Sequence, residues 1–159
     1  GTSDRGGLKT TIEQINNIIV TTILVDIDGL DSGTQANGVI GNTGGVAAAH
    51  FGQITTAVNG LIYKAEIGCI EAAATGGTDI DLSFNTSVLA QNANGAGGAP
   101  VTINNGVLSI GEFNDSTGVA LTGNLNNHYI YLLDVGTSAA EYSSGKFVIR
   151  LYGVKSGAI

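Results

Sequence analysis

Residues 18 to 27 read IIVTTILVDI, and this stretch is the strongest strand signal of the chain. Eight of its ten residues are β-branched, and β-branched side chains favour strands. Successive side chains of a strand point to opposite faces, and here both faces are apolar. A strand that is apolar on both faces is covered on both. We therefore expect the core on one side and a neighbouring subunit on the other, with Ile18, Val20 and Leu24 as interface candidates.

Further strands follow along the chain, separated by turn signals at short intervals. The segment 79–85, DIDLSFN, alternates, so Asp79, Asp81 and Ser83 are expected to face water. An Asn-Gly pair between apolar runs is a strong hairpin signal, and it occurs at Asn59-Gly60 and within Asn104-Asn105-Gly106. The other predicted strands are residues 53–58, 61–72, 101–103, 107–110, 117–122, 128–135 and 146–154, with a short one near Val39 and Ile40.

This pattern of about eight strands without a convincing long helix predicts an all-β fold. Short strands with frequent turns are typical of antiparallel sandwiches and barrels, and among these we favour a jelly-roll-like antiparallel β-sandwich. The sandwich domain is predicted over residues 18–159. The polar, Gly-rich residues 1–17 are predicted to form an extended N-terminal arm. The long Gly-rich loop at 28–49 is expected to serve a function or an interface.

The composition favours a protein that works as part of an assembly. Charged residues make up only 12% of the chain, against about 25% in typical soluble domains. A weakly charged surface fits a protein that is partly covered by copies of itself or by a partner. The alternative is a neutral surface rich in Thr, Ser and Asn.

The charge is unevenly distributed along the chain. Residues 18–145 contain eleven acidic groups and one basic group, whereas residues 146–159 contain three basic groups and no acid. An acidic body disfavours nucleic acid and anionic membranes as partners. The basic C-terminal segment is expected to pair with acidic neighbours in its own chain or with an acidic subunit. No run of 18 apolar residues exists, so no transmembrane helix is predicted.

The residues that usually carry catalysis are isolated in this sequence. His50 and His128 stand in no motif with a nucleophile or an acid at a telling spacing. Cys69 lies on the apolar face of its predicted strand, where a free cysteine behaves as a small buried hydrophobe. We therefore predict no enzyme activity, no catalytic residue and no cofactor.

One acidic cluster has the look of a calcium loop. Asp26, Asp28 and Asp31 fall within VDIDGLDSG, but Gly29 comes too early for an EF-hand and no Glu closes the loop. Irregular calcium binding by these three side chains stays open as one interpretation. The other is a solvated strand end with Asx turns.

Two segments resemble a known family. The segment HYIYLLDVGTSAAEYSSGKFVIRLYGV at 128–154 and the segment ITTAVNGLIYKAEIGCIEA at 54–72 are similar in style to small β-sandwich decoration, or cement, proteins of tailed bacteriophages. The likeness lies in low charge, Gly and Asn turns, and a last strand with Gly145, Phe147, Ile149 and Leu151 in alternation. Its motifs are not specific, so no functional residue is carried over.

The resemblance implies a structural virion protein on the capsid exterior. Such proteins are often trimeric and clamp the major capsid protein through apolar and backbone contacts, often with terminal arms. On this reading the arm supplies Leu8 as a further interface candidate. Two alternatives remain: a tail, neck or head-fibre component bound to another virion protein, and an adhesin subunit of a bacterial or archaeal cell surface.

Overall fold

The computed structural model describes residues 7–45, 48–103, 106–155 and 157. These residues form two antiparallel β-sheets packed face to face, which confirms the predicted all-β sandwich. Among these residues, helical structure is confined to one turn, α1 (Thr56–Asn59), and a 3₁₀ turn at Thr122–Leu125. The strands are β1 (Gly7–Ile15), β2 (Ile18–Asp26), β3 (Gly38–Val39), β4 (Leu61–Ala74), β5 (Ile80–Asn85), β6 (Val101–Ile103), β7 (Phe113–Asp115), β8 (Tyr129–Asp134) and β9 (Ser144–Val154).

In both sheets, a strand from late in the chain lies between two earlier strands. One sheet has five strands in the order β1-β2-β9-β4-β7, and the other has four in the order β3-β8-β5-β6. The C-terminal strand β9 lies in the middle of the larger sheet and pairs with both β2 and β4. In the smaller sheet β8 takes the equivalent place between β3 and β5.

The main core fills the space between the sheets. Alternate residues of β2, β4 and β9 point into it, for example Ile23, Ile67 and Ile149, which lie side by side across three neighbouring strands. Leu82 and Leu132 meet them from the smaller sheet, where the two residues are directly opposite each other. Apolar alternation therefore places these strands as the sequence predicts, with ends within two residues of those expected at 18–27, 61–72, 79–85, 128–135 and 146–154.

The N-terminal segment differs from the predicted arm. Residues 7–15 form β1, which pairs in continuous register with β2 from Gly7 opposite Asp26 to Ile15 opposite Ile18. A two-residue turn at Asn16 and Asn17 joins the strands, and Asn16 adopts a positive φ of 55°, which Asn tolerates better than most residues. The boundary expected between residues 17 and 18 thus falls inside a hairpin, and the described part of the arm belongs to the sheet. Residues 1–6 of the expected arm lie outside the described residues.

The predicted hairpin at Asn59-Gly60 is wrong. Residues 56–59 form the helical turn α1, and Gly60, with φ 75° and ψ −171°, ends it. The Asn59 side chain accepts a hydrogen bond from the Thr55 backbone N–H at 3.0 Å and donates one to Thr21 Oγ1 at 2.8 Å. Gly60 does need a positive φ, as the pattern indicated, but it serves to end a helical turn and start β4.

The predicted strands around residues 104–122 are also corrected. Asn104 and Asn105 lie outside the described residues. Val107 forms an isolated bridge with Asp79, the residue before β5, and β6 pairs with β5. The segment 107–110 therefore does not form the predicted hairpin with β6. The chain instead crosses to the larger sheet and adds β7 beside β4. Residues 117–122 turn rather than extend, with a Val119 N–H to Ser116 carbonyl bond of 2.9 Å.

A pair of glycine substitutions tests how tightly the α1–β4 junction is packed. Gly60 and Gly44 both have positive φ, but an added Cβ at Gly60 would lie 2.7 Å from the Val154 carbonyl oxygen, whereas at Gly44 it would meet nothing within 4 Å. We expect Gly44→Ala to lower the free energy of unfolding by roughly 1–2 kcal/mol and Gly60→Ala by roughly 2–5 kcal/mol. Urea unfolding followed by circular dichroism measures both, and equal losses would contradict this packing.

Candidate protein interface on the five-stranded sheet

The outer faces of the two sheets are covered very differently. Over the smaller sheet, parts of the loops between β2 and β4 and between β5 and β6 form a second apolar cluster with β8. This cluster contains Val39, Ala49, Tyr131 and Leu133, with Leu89, Ala93 and Tyr129 against it. The larger sheet receives no such layer from the described residues, and we call its outward surface the open face.

The loops over the smaller sheet explain why the predicted exposure of two β5 side chains is wrong. Asp81 and Ser83 were expected to face water, but they are only 4% and 1% exposed. They point to the outer side of the smaller sheet, where Ser83 shares a hydrogen bond with Thr102 at 3.0 Å. The sequence pattern therefore predicted correctly which side chains of β5 point away from the main core. It did not indicate that loops cover these side chains.

Strand register defines the residues of the open face. Cross-strand rows run from β1 through β2 to β9, with Glu13, Val20 and Tyr152 in one row and Lys9, Leu24 and Val148 in another. The interface candidates Ile18, Val20 and Leu24 all lie on this face. Ile18 and Val20 are half-buried by their neighbours, and Leu24 is 40% exposed. Among the described residues, nothing covers this second apolar face of β2.

Leu8 takes a different position from the other candidates. It lies opposite Val25 on the inward side of the hairpin and packs against the edge of the main core. Its side chain is half-buried, and it also lines the rim of a depression described next. Leu8 therefore packs β1 against the sandwich of its own chain, and less of its side chain is available to contact a partner.

Two shallow depressions lie on the open face. The first, of about 300 Å³, is mostly apolar, and Leu24 and the 48%-exposed Ile70 line it. Lys9, Asp26 and Lys146 also line it. The second, of about 370 Å³, is lined by Thr11, Glu13, Ile15, Ile18, Val20, Thr22 and Arg150. Both depressions combine apolar and charged side chains, as protein contact surfaces do.

Ion pairs engage most of the charged side chains on this face. Glu66, with a side chain only 13% exposed, lies 3.5 Å from Arg150 and 3.9 Å from Lys64 and accepts the Tyr152 hydroxyl at 2.7 Å. Lys146 donates to Glu71 at 3.0 Å. The predicted pairing of the basic C-terminal segment with acids of its own chain is confirmed for Lys146 and Arg150.

These contacts are reflected in the protonation equilibria. The hydrogen bond from Lys146 lowers the pKa of Glu71, and the same bond raises the pKa of Lys146. Of the cations on the strands of this face, Lys64, Lys146 and Arg150 lie in ion pairs with carboxylates, whereas Lys9 is in no ion pair among the described residues.

The candidate calcium residues do not gather into a site. The Asp28 backbone N–H donates to Asp26 Oδ1 at 3.0 Å, which is an Asx turn. Asp31 is buried, and its carboxylate accepts bonds from the Gly33 N–H at 3.0 Å and from the Thr43 and Gln91 side chains. Within the described ranges, no group of three or more His, Cys, Asp or Glu side chains is placed to hold a metal ion.

The histidines and the cysteine sit in separate surroundings. His50 Nδ1 accepts the Gly52 N–H at 3.1 Å, and its ring lies 4.7 Å from that of Tyr129. His128 is 8% exposed, with Nδ1 3.1 Å from the Asn126 carbonyl oxygen. Cys69 is buried in the main core, as predicted, and burial raises the pKa of its thiol. A raised thiol pKa disfavours the reactive thiolate.

Sequence reasoning missed a buried polar group at one end of the sandwich. Asp134, fully buried, accepts the Ser32 hydroxyl at 3.0 Å and the Gly136 N–H at 2.9 Å. Nearby, the buried Tyr142 donates its hydroxyl to the Gly77 carbonyl at 2.8 Å. Burial, reinforced by the charges of Asp134 and Asp31, raises the pKa of Tyr142 far above its usual range. An Asp at a strand end carries no sequence signal that distinguishes it from a solvated one.

Comparison with protein-family models, with curated proteins and with solved structures finds no match to this chain. The likeness to phage decoration proteins therefore stays a prediction. No helix among the described residues is long and apolar enough to cross a membrane.

Tyr142 gives the fold a defined sensitivity to alkali. A phenol whose pKa is raised on folding stabilises the protein fully below the unfolded pKa of about 10, and that stabilisation is lost as pH rises above it. Above pH 10 we expect this residue to lower the free energy of unfolding by about 1.4 kcal/mol per pH unit. Tyr142→Phe should cost about 1 kcal/mol at neutral pH through the lost hydrogen bond and should flatten the alkaline fall.

Denaturant unfolding at a series of pH values measures this effect. Tyr63→Phe is the matched control, because Tyr63 is 52% exposed, and this variant should keep the alkaline fall. An unchanged fall in Tyr142→Phe would contradict the assignment.

Proposed function

We propose that this chain is a structural virion protein, a capsid decoration protein that docks on the head of a tailed bacteriophage through its open face. The observation that carries the proposal is the asymmetry between the sheets. One outer face is sealed by the protein's own loops, while the other is left with apolar side chains in water.

The exposed apolar residues support this choice of surface. Ile15, Leu24, Tyr63, Ile70 and Phe113 are each at least 40% exposed and belong to strands of the larger sheet. Register places Ile15, Leu24 and Phe113 on its outer side, opposite Ile18, Val148 and Gly68. Tyr63 and Ile70 fall at bulges of β4, but the Tyr63 ring lies 6.5 Å from that of Tyr152, and Ile70 lines the first depression together with Leu24. Exposed apolar surface of this kind marks a contact with another protein.

We also propose that the sandwich is a jelly roll. In a jelly roll the chain folds as one long hairpin that wraps into two sheets, so that the first strand pairs with the last and each later strand with an earlier partner. The pairs β2–β9, β3–β8, β4–β7 and β5–β6 follow this rule, and β1 is an addition at the edge. Double-sheet jelly rolls occur in viral capsid proteins, but also in lectins and cupins, so the topology supports the function only by analogy.

The other candidate functions have less support. A pilus-like subunit would offer an unpaired donor strand, whereas residues 7–15 already pair with β2 of the same chain. For an enzyme, the surroundings of the candidate side chains offer less: His50 Nδ1 accepts a backbone N–H, His128 Nδ1 lies against a backbone carbonyl, and Cys69 is buried in the main core. A tail, neck or head-fibre position uses the same open face and differs in location on the particle.

Antibody labelling of particles tests both the role and the orientation. If the open face docks, the loop between β5 and β6 points away from the particle. Antibodies against the loop peptide 91–99, whose residues 96–99 are exposed, should therefore label heads in electron micrographs of intact virions from the host that carries the gene. Label on tails would favour the alternative position, and absence of the chain from purified particles would contradict a virion role.

Charge substitutions on the open face test the docking surface itself. Leu24→Glu and Ile70→Glu place a charge where burial is proposed, and we expect each to weaken binding to particles grown without the chain by about tenfold or more. Val88→Glu is the matched control, because Val88 is 57% exposed but follows β5 on the loop-covered side. Similar losses in all three variants, or in none, would contradict docking through this face. Thermal unfolding of each variant verifies that the fold is intact.

A further inference from the structure

The strand β1 leaves a long, regular sheet edge in the open. It is nine residues long, pairs only with β2 among the described strands, and its register contains no bulge. Eight of its nine residues are exposed. Proteins usually protect such an edge with a bulge, a proline or a short strand, because unpaired N–H and C=O groups recruit another strand. The only protective features here are the charges of Lys9 and Glu13.

The hairpin turn decides which backbone groups of β1 are free. Ile15 and Ile18 flank the two-residue turn, so they form a hydrogen-bonded pair. Hydrogen-bonded and non-hydrogen-bonded pairs alternate along an antiparallel ladder, so the odd-numbered residues of β1 bond to β2. The N–H and C=O groups of Leu8, Thr10, Ile12 and Gln14 therefore point outward.

The two charges lie symmetrically on this edge. Lys9 and Glu13 flank Thr11 at equal spacing and share the open face with it. They are four residues apart on one strand, about 13 Å, which is too far for them to pair with each other. On a second antiparallel copy of β1 centred at Thr11, each Lys9 would stand opposite a Glu13.

We infer that a second copy of this chain adds to the β1 edge, antiparallel and with Thr11 opposite Thr11, and that this contact joins two larger sheets into one of ten strands. The register uses all four outward-pointing residues, since Leu8 then pairs with Gln14 and Thr10 with Ile12. It places Thr11 and the Lys9–Glu13 pairs at non-hydrogen-bonded positions, where facing side chains are closest. Ile15, 70% exposed, comes to lie opposite Gly7, which leaves it room.

Neighbouring registers lack these features. Centring the pair on Thr10 places Lys9 opposite Thr11, and centring it on Ile12 places Lys9 opposite Ile15. Both leave Lys9 and Glu13 without partners. The contact stands on β1 alone and does not depend on the virion role. It is two-fold, whereas the resemblance to decoration proteins implies three-fold symmetry.

A register-specific disulfide tests the contact. Thr11→Cys places two thiols across a non-hydrogen-bonded pair, about 4.5 Å apart at Cα, which suits a disulfide. Glu13→Cys is the matched control on the same strand and face, but its two thiols would be about 13 Å apart. The natural Cys69 is buried. Under mild oxidation we expect a covalent dimer from Thr11→Cys at least tenfold faster than from Glu13→Cys, by non-reducing electrophoresis.

Charge exchange tests the pairing of Lys9 with Glu13. Lys9→Glu and Glu13→Lys each put like charges opposite one another twice, and we expect each to raise the dimer dissociation constant by roughly tenfold in sedimentation. The double variant should return it close to that of the natural chain. Mixing the two single variants should give a heterodimer in preference to either homodimer.

Two results would overturn the inference. One is a natural chain that stays monomeric at concentrations up to the millimolar range, or a natural chain that forms trimers while the Thr11→Cys variant gives no cross-link. The other is equal cross-linking at positions 11 and 13. Neither result bears on docking through Leu24 and Ile70, which is measured on particles, so the two proposals can fail separately.

Discussion

The sandwich depends on the insertion of β9 between β2 and β4. This one strand supplies antiparallel partners to both neighbours over nearly its whole length, from Val154 opposite Ile18 to Lys146 opposite Asp26, and again along β4. Its inward residues Phe147, Ile149 and Leu151 lie in the centre of the main core. Because β2 and β4 do not pair with each other, the larger sheet cannot form until β9 is in place. Contacts of such long sequence separation make folding slow relative to helical proteins of this size.

The difference between the two outer faces follows from buried polar side chains in the loops. Asp31 accepts bonds from Thr43 and Gln91, which come from the two loops that cover the smaller sheet. Asp134 holds Ser32 of the same region. A buried carboxylate that lost these donors would carry a large desolvation penalty, so the loops are fixed where the acids need them. No comparable anchor among the described residues draws a loop over the larger sheet, whose ion pairs join neighbouring strands instead.

The sequence predicts the strands that form the main core. It does not predict which outer face is covered by loops, or which turn a residue with positive φ belongs to. The β-branched, two-faced apolar run located β2, and alternation located β4, β5 and β9, because burial on one face imposes a period of two. It could not show that Asp81 is covered, since an acid on the outer side of a strand has the same pattern with or without a loop above it. Gly60 illustrates the other limit. A positive φ is compatible with a hairpin and with the end of a helical turn, and the contacts of Asn59 with Thr55 and Thr21 decide between them.

Part of the open face was predicted from the sequence, for a physical reason that extends to both proposals. Two-faced apolarity singled out Ile18, Val20 and Leu24, because a strand buried on one side normally has a polar other side. The edge strand β1 had no such signal, since its polar composition resembles that of a mobile arm. If two copies join through β1, the two-fold axis runs perpendicular to the sheet, and both open faces point to the same side. Two docking faces fixed on one side would bind a repetitive particle surface with a high effective concentration for the second contact. A modest patch on each subunit would then suffice for stable attachment, which fits two depressions of only a few hundred Å³.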